Sequence, residues 1–506
     1  MNEPPVPPSP LPRVVRPETQ ATSALASVLN VLGWLLTTMA AGMLLPTFVA
    51  LSDHERTVSA AFAATALAGA FLGGGLMVAM QGIERPATLR ENIFLIVSAW
   101  TVVPLVGALP VYASGATATF VDAFFEAMSA LTTTGASALA DPVALPRAVL
   151  LWRALLEWGG GFAAIVMALA ILSAFGTAGR DVQRTHLALG MGGPVAARFM
   201  HFMRALFALY VAMTFLGFIG IWASGPPAFD ALCLTLASIS TGGLAIAGQG
   251  QMISDSPIAA VIIVILMVFG ATNFLTHWTV WRRGILRYRE DQEIGYLLFT
   301  AAAGFVLFEL AQLVAHGSHE TLRRVWGTAF NVISLVTTTG FWIGPDPPPA
   351  GASSMVALAL TTIGGATVSA AGGLKLLRLA LLTLQGQREL RRLSHPRSVT
   401  RVLFDGHPMD ERVVVGISSF ALAYGVTLAL SALTLAAIGL DPTSSIVASA
   451  AALANTGPLY DIVTAGPASY ATMPDAAKWA LTVVMAAGRL EVLALLSLFS
   501  TAFWRG

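Results

Sequence analysis

Apolar residues in this chain come in long runs, and the polar residues between them recur in a fixed order. Residues 24–51 and 58–80 are each long enough to cross a ~30 Å hydrocarbon core, which takes about 20 helical residues. The polar turn Ser52-Asp53-His54-Glu55-Arg56 separates them. After this pair the pattern becomes long, short, long, and it repeats. Residues 92–112, 120–131 and 149–172 form the first set, and 202–222, 228–239 and 257–280 the second. The third set is 294–314, 321–336 and 354–384, and the fourth 413–438, 442–454 and 476–503. The short members fall below the length that spans a bilayer. Their flanks hold Pro, Gly and polar residues, as in Ser224-Gly225-Pro226-Pro227, so each reads as a segment that enters and returns on one side.

A Thr-Gly dipeptide follows every short segment and occurs nowhere else in the chain. A polar residue stands before each one. The elements are Thr133-Thr134-Gly135, Ser240-Thr241-Gly242, Thr338-Thr339-Gly340 and Asn455-Thr456-Gly457, at spacings of 107, 98 and 117 residues. One such turn would be an ordinary loop glycine. Four, each at the end of a short segment, mark an internal repeat. Main chain that is non-helical at membrane depth is tolerated only where it is buried in protein or lines a water-filled cavity. Four segments can meet that condition together by surrounding one axis.

The expected fold is therefore an all-α polytopic membrane protein. A disordered cytoplasmic tail (1–22) precedes an extra N-terminal helix pair (23–85). Four helix–pore loop–helix repeats follow (86–185, 186–290, 291–395 and 396–506) around a pseudo-fourfold pore. Composition agrees: the 506 residues are 56% hydrophobic and 11% charged, with a mean hydropathy of +0.74, where a soluble chain is nearer one quarter charged. The first apolar run is too long for a signal-peptide core.

Charge placement sets the orientation. With the N-terminus inside, all but seven of the 28 Lys and Arg residues fall on the cytoplasmic side; the exceptions are Arg56, Arg147, Arg153, Arg323, Arg324, Lys478 and Arg489. The positive-inside rule supports that orientation, with both termini cytoplasmic and the four short segments on the outer side.

A cation crossing a membrane must exchange its hydration shell for protein oxygens, as carbonyl rings do in potassium filters. Glycine lets the backbone turn a carbonyl toward an axis without a Cβ clash, and Thr adds a hydroxyl oxygen. No element carries a carboxylate, which argues against a calcium-type acidic ring. Arg489 lies about eleven residues, roughly 16 Å, beyond Lys478, near mid-membrane. There a charge is costly and usually functional. The bland reading is an ion pair with Glu157 or Glu491. The stretch from Gly364-Gly365 to Gly372-Gly373 holds two glycine pairs around Thr367 and Ser369, and it predicts a broken helix more than close packing. Lys375 follows it, with snorkelling as the bland alternative. Single Cys233 excludes an intramolecular disulfide. No phosphate-binding loop, dinucleotide fingerprint or catalytic triad spacing is present. The chain is thus not expected to be an enzyme or to bind a cofactor or nucleic acid.

Several motifs resemble the Trk/Ktr/HKT superfamily of potassium transporters, and most of all the Trk-type membrane subunit. They are Phe124-Phe125-Glu126-Ala127, Glu157-Trp158-Gly159-Gly160-Gly161, Gly270-Ala271-Thr272-Asn273-Phe274, Asp291-Gln292-Glu293, Gly372-Gly373-Leu374-Lys375 and Gly488-Arg489-Leu490-Glu491. The resemblance implies potassium permeation across a bacterial inner membrane, a homodimer, and gating by a cytosolic nucleotide-binding ring (TrkA-like) docked on the Arg-rich stretches 180–204, 282–289 and 388–401. It also implies that Arg489 is an electrostatic barrier below the filter and that 364–373 is an intramembrane gating loop. Gly135, which serine replaces in sodium-transporting members, favours potassium. The alternative is a symporter coupling potassium entry to protons or sodium, which predicts inverted repeats and a mid-membrane carboxylate site.

Overall fold

The computed structural model describes residues 17–81, 89–139, 145–174, 195–244, 249–316, 322–343, 351–395, 403–404, 407–408, 411–464 and 469–490. Within them the chain is helical almost throughout. The one strand pairing among the described residues is a two-residue antiparallel contact, Leu403–Phe404 with His407–Pro408.

The first helix, Pro17–Gly42, begins ahead of the expected span. Residues 17–22 of the segment read as a disordered tail are therefore helical. Proline at the first helical position and an acidic residue beside it, Glu18, are what a helix start favours. After a turn at Met43 the path continues as Leu44–Ser52 and returns through Arg56–Ala79. The two arms approach backbone to backbone: a Cβ on Gly73 would lie 2.7 Å from the Gly33 carbonyl and 2.5 Å from the Thr37 hydroxyl.

The four repeats follow as expected, with their short helices at Phe120–Leu131, Ala228–Ile239, Leu322–Val336 and Pro442–Leu453. Local chemistry starts them. The Thr119 hydroxyl accepts the Asp122 N–H, and an Asp441 carboxylate oxygen accepts the Ser444 N–H at 2.9 Å. Hydrogen bonds from the Ser444 side chain and backbone hold the exposed Asp441 carboxyl below its usual pKa. The first long helices of the repeats are Leu89–Ala113, Val195–Ala223, Gln292–His316 and Glu411–Ile438.

The second long helices are less uniform. Arg147–Ala174 is continuous. The expected span 257–280 is not: it divides into Pro257–Ala271 and Phe274–Arg283, bent by 104°. Asn273 causes the break, because its side chain accepts the Leu275 N–H at 3.0 Å and so starts a new helix inside an apolar run. The third repeat is broken as predicted, into Ala352–Ile363 and Leu376–Ser394. In the fourth, Asp475–Arg489 is helical and residues 491–503 lie outside the described set. Seven described helices are long and apolar enough to span a membrane, or eight with the bent pair.

Glycines let the second long helices press against the short ones. A Cβ on Gly160, Gly270 or Gly488 would overlap the terminal carbonyl of the first, second or fourth short helix, at Leu131, Ile239 and Leu453. Three of the sequence motifs thus have a packing explanation. Replacing Gly73 with leucine should force the N-terminal pair apart and cost about 1–3 kcal/mol or more, as overpacking does. A lowered unfolding temperature of the purified protein in detergent would register this; an unchanged one would contradict the close approach.

Candidate ion pathway

The four short helices end in the same way. At each end one residue donates to the carbonyl three back, and the next donates to the carbonyl five back. The first bonds are Thr133 to Ala130, Thr241 to Ser238, Thr338 to Leu335 and Asn455 to Ala452. The second are Thr134 to Ser129, Gly242 to Ala237, Thr339 to Ser334 and Thr456 to Ala451. This is the Schellman pattern, whose left-handed residue is usually glycine. Here it is Thr133 (φ 49°), Thr241 (φ 54°), Thr338 (φ 58°) and Asn455 (φ 52°). A β-branched residue in that region is an outlier. Such strain costs about 1–3 kcal/mol per site and gathers at functional sites.

The same bonds correct the register of the second repeat. Gly135, Gly340 and Gly457 lie four residues past the last helical residue, and so does Gly243, not Gly242. The equivalent of Thr133-Thr134-Gly135 is therefore Thr241-Gly242-Gly243. Ser240 falls one position early; its hydroxyl bonds back to the Leu236 carbonyl at 2.7 Å. Thr-Gly drew attention to the wrong glycine, whereas counting from the end of the short segment would have found Gly243.

These segments form a closed ring in chain order. A Cβ on Gly135 would overlap the Gly242 carbonyl oxygen, and one on Gly243 the Thr339 carbonyl oxygen. One on Gly340 would lie 2.9 Å from Pro458, and one on Gly457 would overlap Ala136. First touches second, second third, third fourth and fourth first. All of Thr133, Thr134, Thr241, Thr338, Thr339, Asn455 and Thr456 are fully buried. The fourth member is distorted. Gly135, Gly243 and Gly340 have φ of 76°, 73° and 80°, while Gly457 does not share that conformation. Pro458 follows it, and the residue before proline is restricted to extended conformations. The Gly457 carbonyl accepts the Tyr470 hydroxyl at 3.0 Å, and its N–H donates to the Thr134 carbonyl at 2.5 Å.

The broken third-repeat helix lies against this ring. The Gly372 N–H donates to the Thr338 hydroxyl at 2.7 Å. Arg489 joins the ring and the loop: Nε donates to the Thr132 carbonyl at 2.7 Å, and Nη1 to the Ala370 carbonyl at 2.6 Å. No carboxylate pairs with Arg489 among the described residues. Glu157 is engaged elsewhere, accepting the Leu244 N–H at 3.0 Å, and Glu491 lies outside the described residues. Lys375 does not snorkel; its ammonium turns back to the Ala371 and Ser369 carbonyls at 2.5 and 3.4 Å. Gly364 and Gly373 close the neck of the loop, with φ of 73° and 77°, and Gly365 and Gly372 press on Ala271 and Ala454. A cavity of about 30 Å³ lies beside Arg489, Lys375 and Arg378. The loop is also stitched to the bent span of the second repeat. Ala366 and Ala370 donate to the Ala271 and Gly270 carbonyls, Phe274 donates to Val368, and Glu293 accepts the Thr367 N–H at 2.6 Å.

The sequence matches the TrkH family, described as cation transport proteins, over residues 58–505. The chain belongs to this family. The Trk system potassium uptake protein TrkH of Salmonella typhimurium is 32% identical over 487 residues, 95% of this chain and 99% of that protein. Trk system potassium uptake protein TrkG of Escherichia coli strain K12 is 28% identical over 492 residues, covering 96% and 99%. The crystal structure of the potassium transporter TrkH from Vibrio parahaemolyticus superposes with a TM-score of 0.84 at 30% identity, covering 95% of this chain and all of that one. The all-helical, four-repeat fold is thus the family's.

Arg489→Ala removes the side chain that ties the ring to the loop. It should raise basal rubidium leak into proteoliposomes several-fold in protein that still elutes as a single species. Unchanged flux would count against a barrier at this position.

Proposed function

We propose that this chain takes up potassium across the bacterial inner membrane through a gated, channel-like pore, with the four-segment ring as its selectivity filter. The observation that carries this reading is the ring itself. Four strained Thr or Asn residues, each followed by Thr or Gly and then Gly, meet in cyclic order from four repeats. Backbone held in that conformation can replace the hydration shell of a cation, and the short helices bring their partially negative C-termini to the same place. Potassium as the cargo is supported by the named relatives, which are potassium uptake proteins, and by glycine at position 135.

The loop at 364–373, with Arg489, Lys375 and its glycine pairs, acts as the gate. Cytoplasmic termini and outward-facing short helices are supported by the Lys and Arg distribution. A homodimer regulated by a cytosolic nucleotide-binding ring is the part of the proposal that rests on family membership alone. Nothing favours coupled symport. The buried Glu126, Glu157 and Glu293 each accept a backbone N–H, at 2.6, 3.0 and 2.6 Å.

Rubidium uptake into proteoliposomes should proceed down its own gradient with no imposed proton or sodium gradient; dependence on either would favour the symporter. Gly135→Ser has to displace the Gly242 carbonyl. It should raise sodium uptake relative to rubidium several-fold, and an identical ratio would argue against Gly135 lining the path.

A further inference from the structure

Beyond the left-handed turns, the first three filter segments run as irregular main chain with neither helix nor sheet to hold them, while the fourth passes directly into the helix Pro458–Thr464. Each of the four is gripped on a backbone atom by a buried side chain, a carboxylate in two repeats, an amide in one and a phenol in one, and in the first repeat the Ser129 hydroxyl adds a bond to the Ala136 carbonyl at 2.7 Å. In the first repeat, Glu126 Oε1 accepts the Ala138 N–H at 2.6 Å and the Ser137 hydroxyl at 2.9 Å, while Oε2 pairs with Arg153 Nε at 2.9 Å. In the third, Asn331 grips Ile343 twice: Nδ2 donates to its carbonyl at 2.7 Å and Oδ1 accepts its N–H at 2.9 Å.

Glu126 and Asn331 occupy the same place in their repeats, nine residues before Gly135 and Gly340, and both hold the third residue after that glycine. The corresponding positions in the second and fourth repeats are Leu234 and Ala448, which have no polar group to offer. Both gaps are filled from elsewhere in the fold. Glu157, on the first repeat's long helix, holds Leu244, the residue after Gly243. Tyr470 holds the Gly457 carbonyl from the side, sharing it with the Tyr460 N–H of the helix that follows.

We propose that Glu126, Glu157, Asn331 and Tyr470 are positioning residues that fix the spacing of the filter segments and thereby set the discrimination against sodium. The proposal rests on the filter reading given above. Sodium is the smaller ion and needs a tighter cage. A segment freed from its grip can relax inward and supply one, whereas a segment held from behind cannot. Ligand sets keep their geometry only when supporting groups lock them. All four side chains are buried, at 0% exposure for Glu126, Glu157 and Tyr470 and 5% for Asn331.

The test compares Tyr470→Phe and Asn331→Leu with the parent in proteoliposomes, measuring rubidium and sodium uptake in parallel on protein that elutes as a single species. Both variants should raise the sodium-to-rubidium ratio at least three-fold. Asn331→Asp, which keeps an acceptor for the Ile343 N–H, should return part of the selectivity. A purely structural role would lower the yield of folded protein and leave the ratio alone. Tyr470→Phe decides the matter if Asn331→Leu fails to fold, because it removes a single oxygen from an aromatic cluster with Phe125 and Tyr460. An unchanged ratio in folded Tyr470→Phe, while Gly135→Ser shifts it, overturns the grip alone. An unchanged ratio in Gly135→Ser as well overturns the filter reading and this proposal with it.

Discussion

Main chain that leaves the helix in an apolar interior must still find a partner for its amides and carbonyls, because an unsatisfied one costs several kcal/mol in hydrocarbon. The centre of this molecule is organised by that demand. Four short helices stop there and two long ones break there, and the loose ends satisfy one another. The bent span leaves carbonyls open at Gly270 and Ala271, and the loop of the third repeat fills them with the N–H groups of Ala370 and Ala366. The loop's own carbonyls at Ser369, Ala370 and Ala371 are taken by Lys375 and Arg489. No broken piece could stand alone, and this places all of them around one point.

Buried charge follows the same logic. A charge taken out of water is tolerated only when paired or well hydrogen-bonded. Lys478 pairs with Asp122 at 2.5 Å, joining the last long helix to the start of the first short one. Arg153 pairs with Glu126. Arg489, by contrast, is 5% exposed and bonded only to backbone oxygens among the described residues. Two of these cations are met by carboxylates, Lys478 across the fourth and first repeats and Arg153 within the first. The third keeps its full positive field beside the ring.

Much of this was legible in the sequence because hydrophobic length and helix-stop residues are local signals. The first and second short helices have the bounds expected from the runs 120–131 and 228–239. The glycine-flanked break at 364–373 was likewise visible. Four features were not read. Thr241-Gly242 imitates the other elements as a dipeptide, yet its place is set by the distance from Ile239, and Gly243 is the true counterpart. Thr272-Asn273 is too small an interruption to register in an apolar window, although Asn273 carries a helix-start signal. The distortion at Gly457 follows from Pro458, whose effect on its neighbour competes with the repeat pattern. Of the gripping side chains, Glu126 and Asn331 stand at one fixed spacing from their glycines, whereas Glu157 reaches Leu244 across 87 residues and no local pattern reports that pairing.

The bond from Gly372 to the Thr338 hydroxyl, with Arg489 spanning Thr132 and Ala370, makes the loop and the ring one mechanical piece. Withdrawing the loop strips two supports from the ring above it. In the pore proposed above, the sieve of the conducting state is then not the sieve of the resting state, and the moment of opening is also a change in how tightly the passing ion is held.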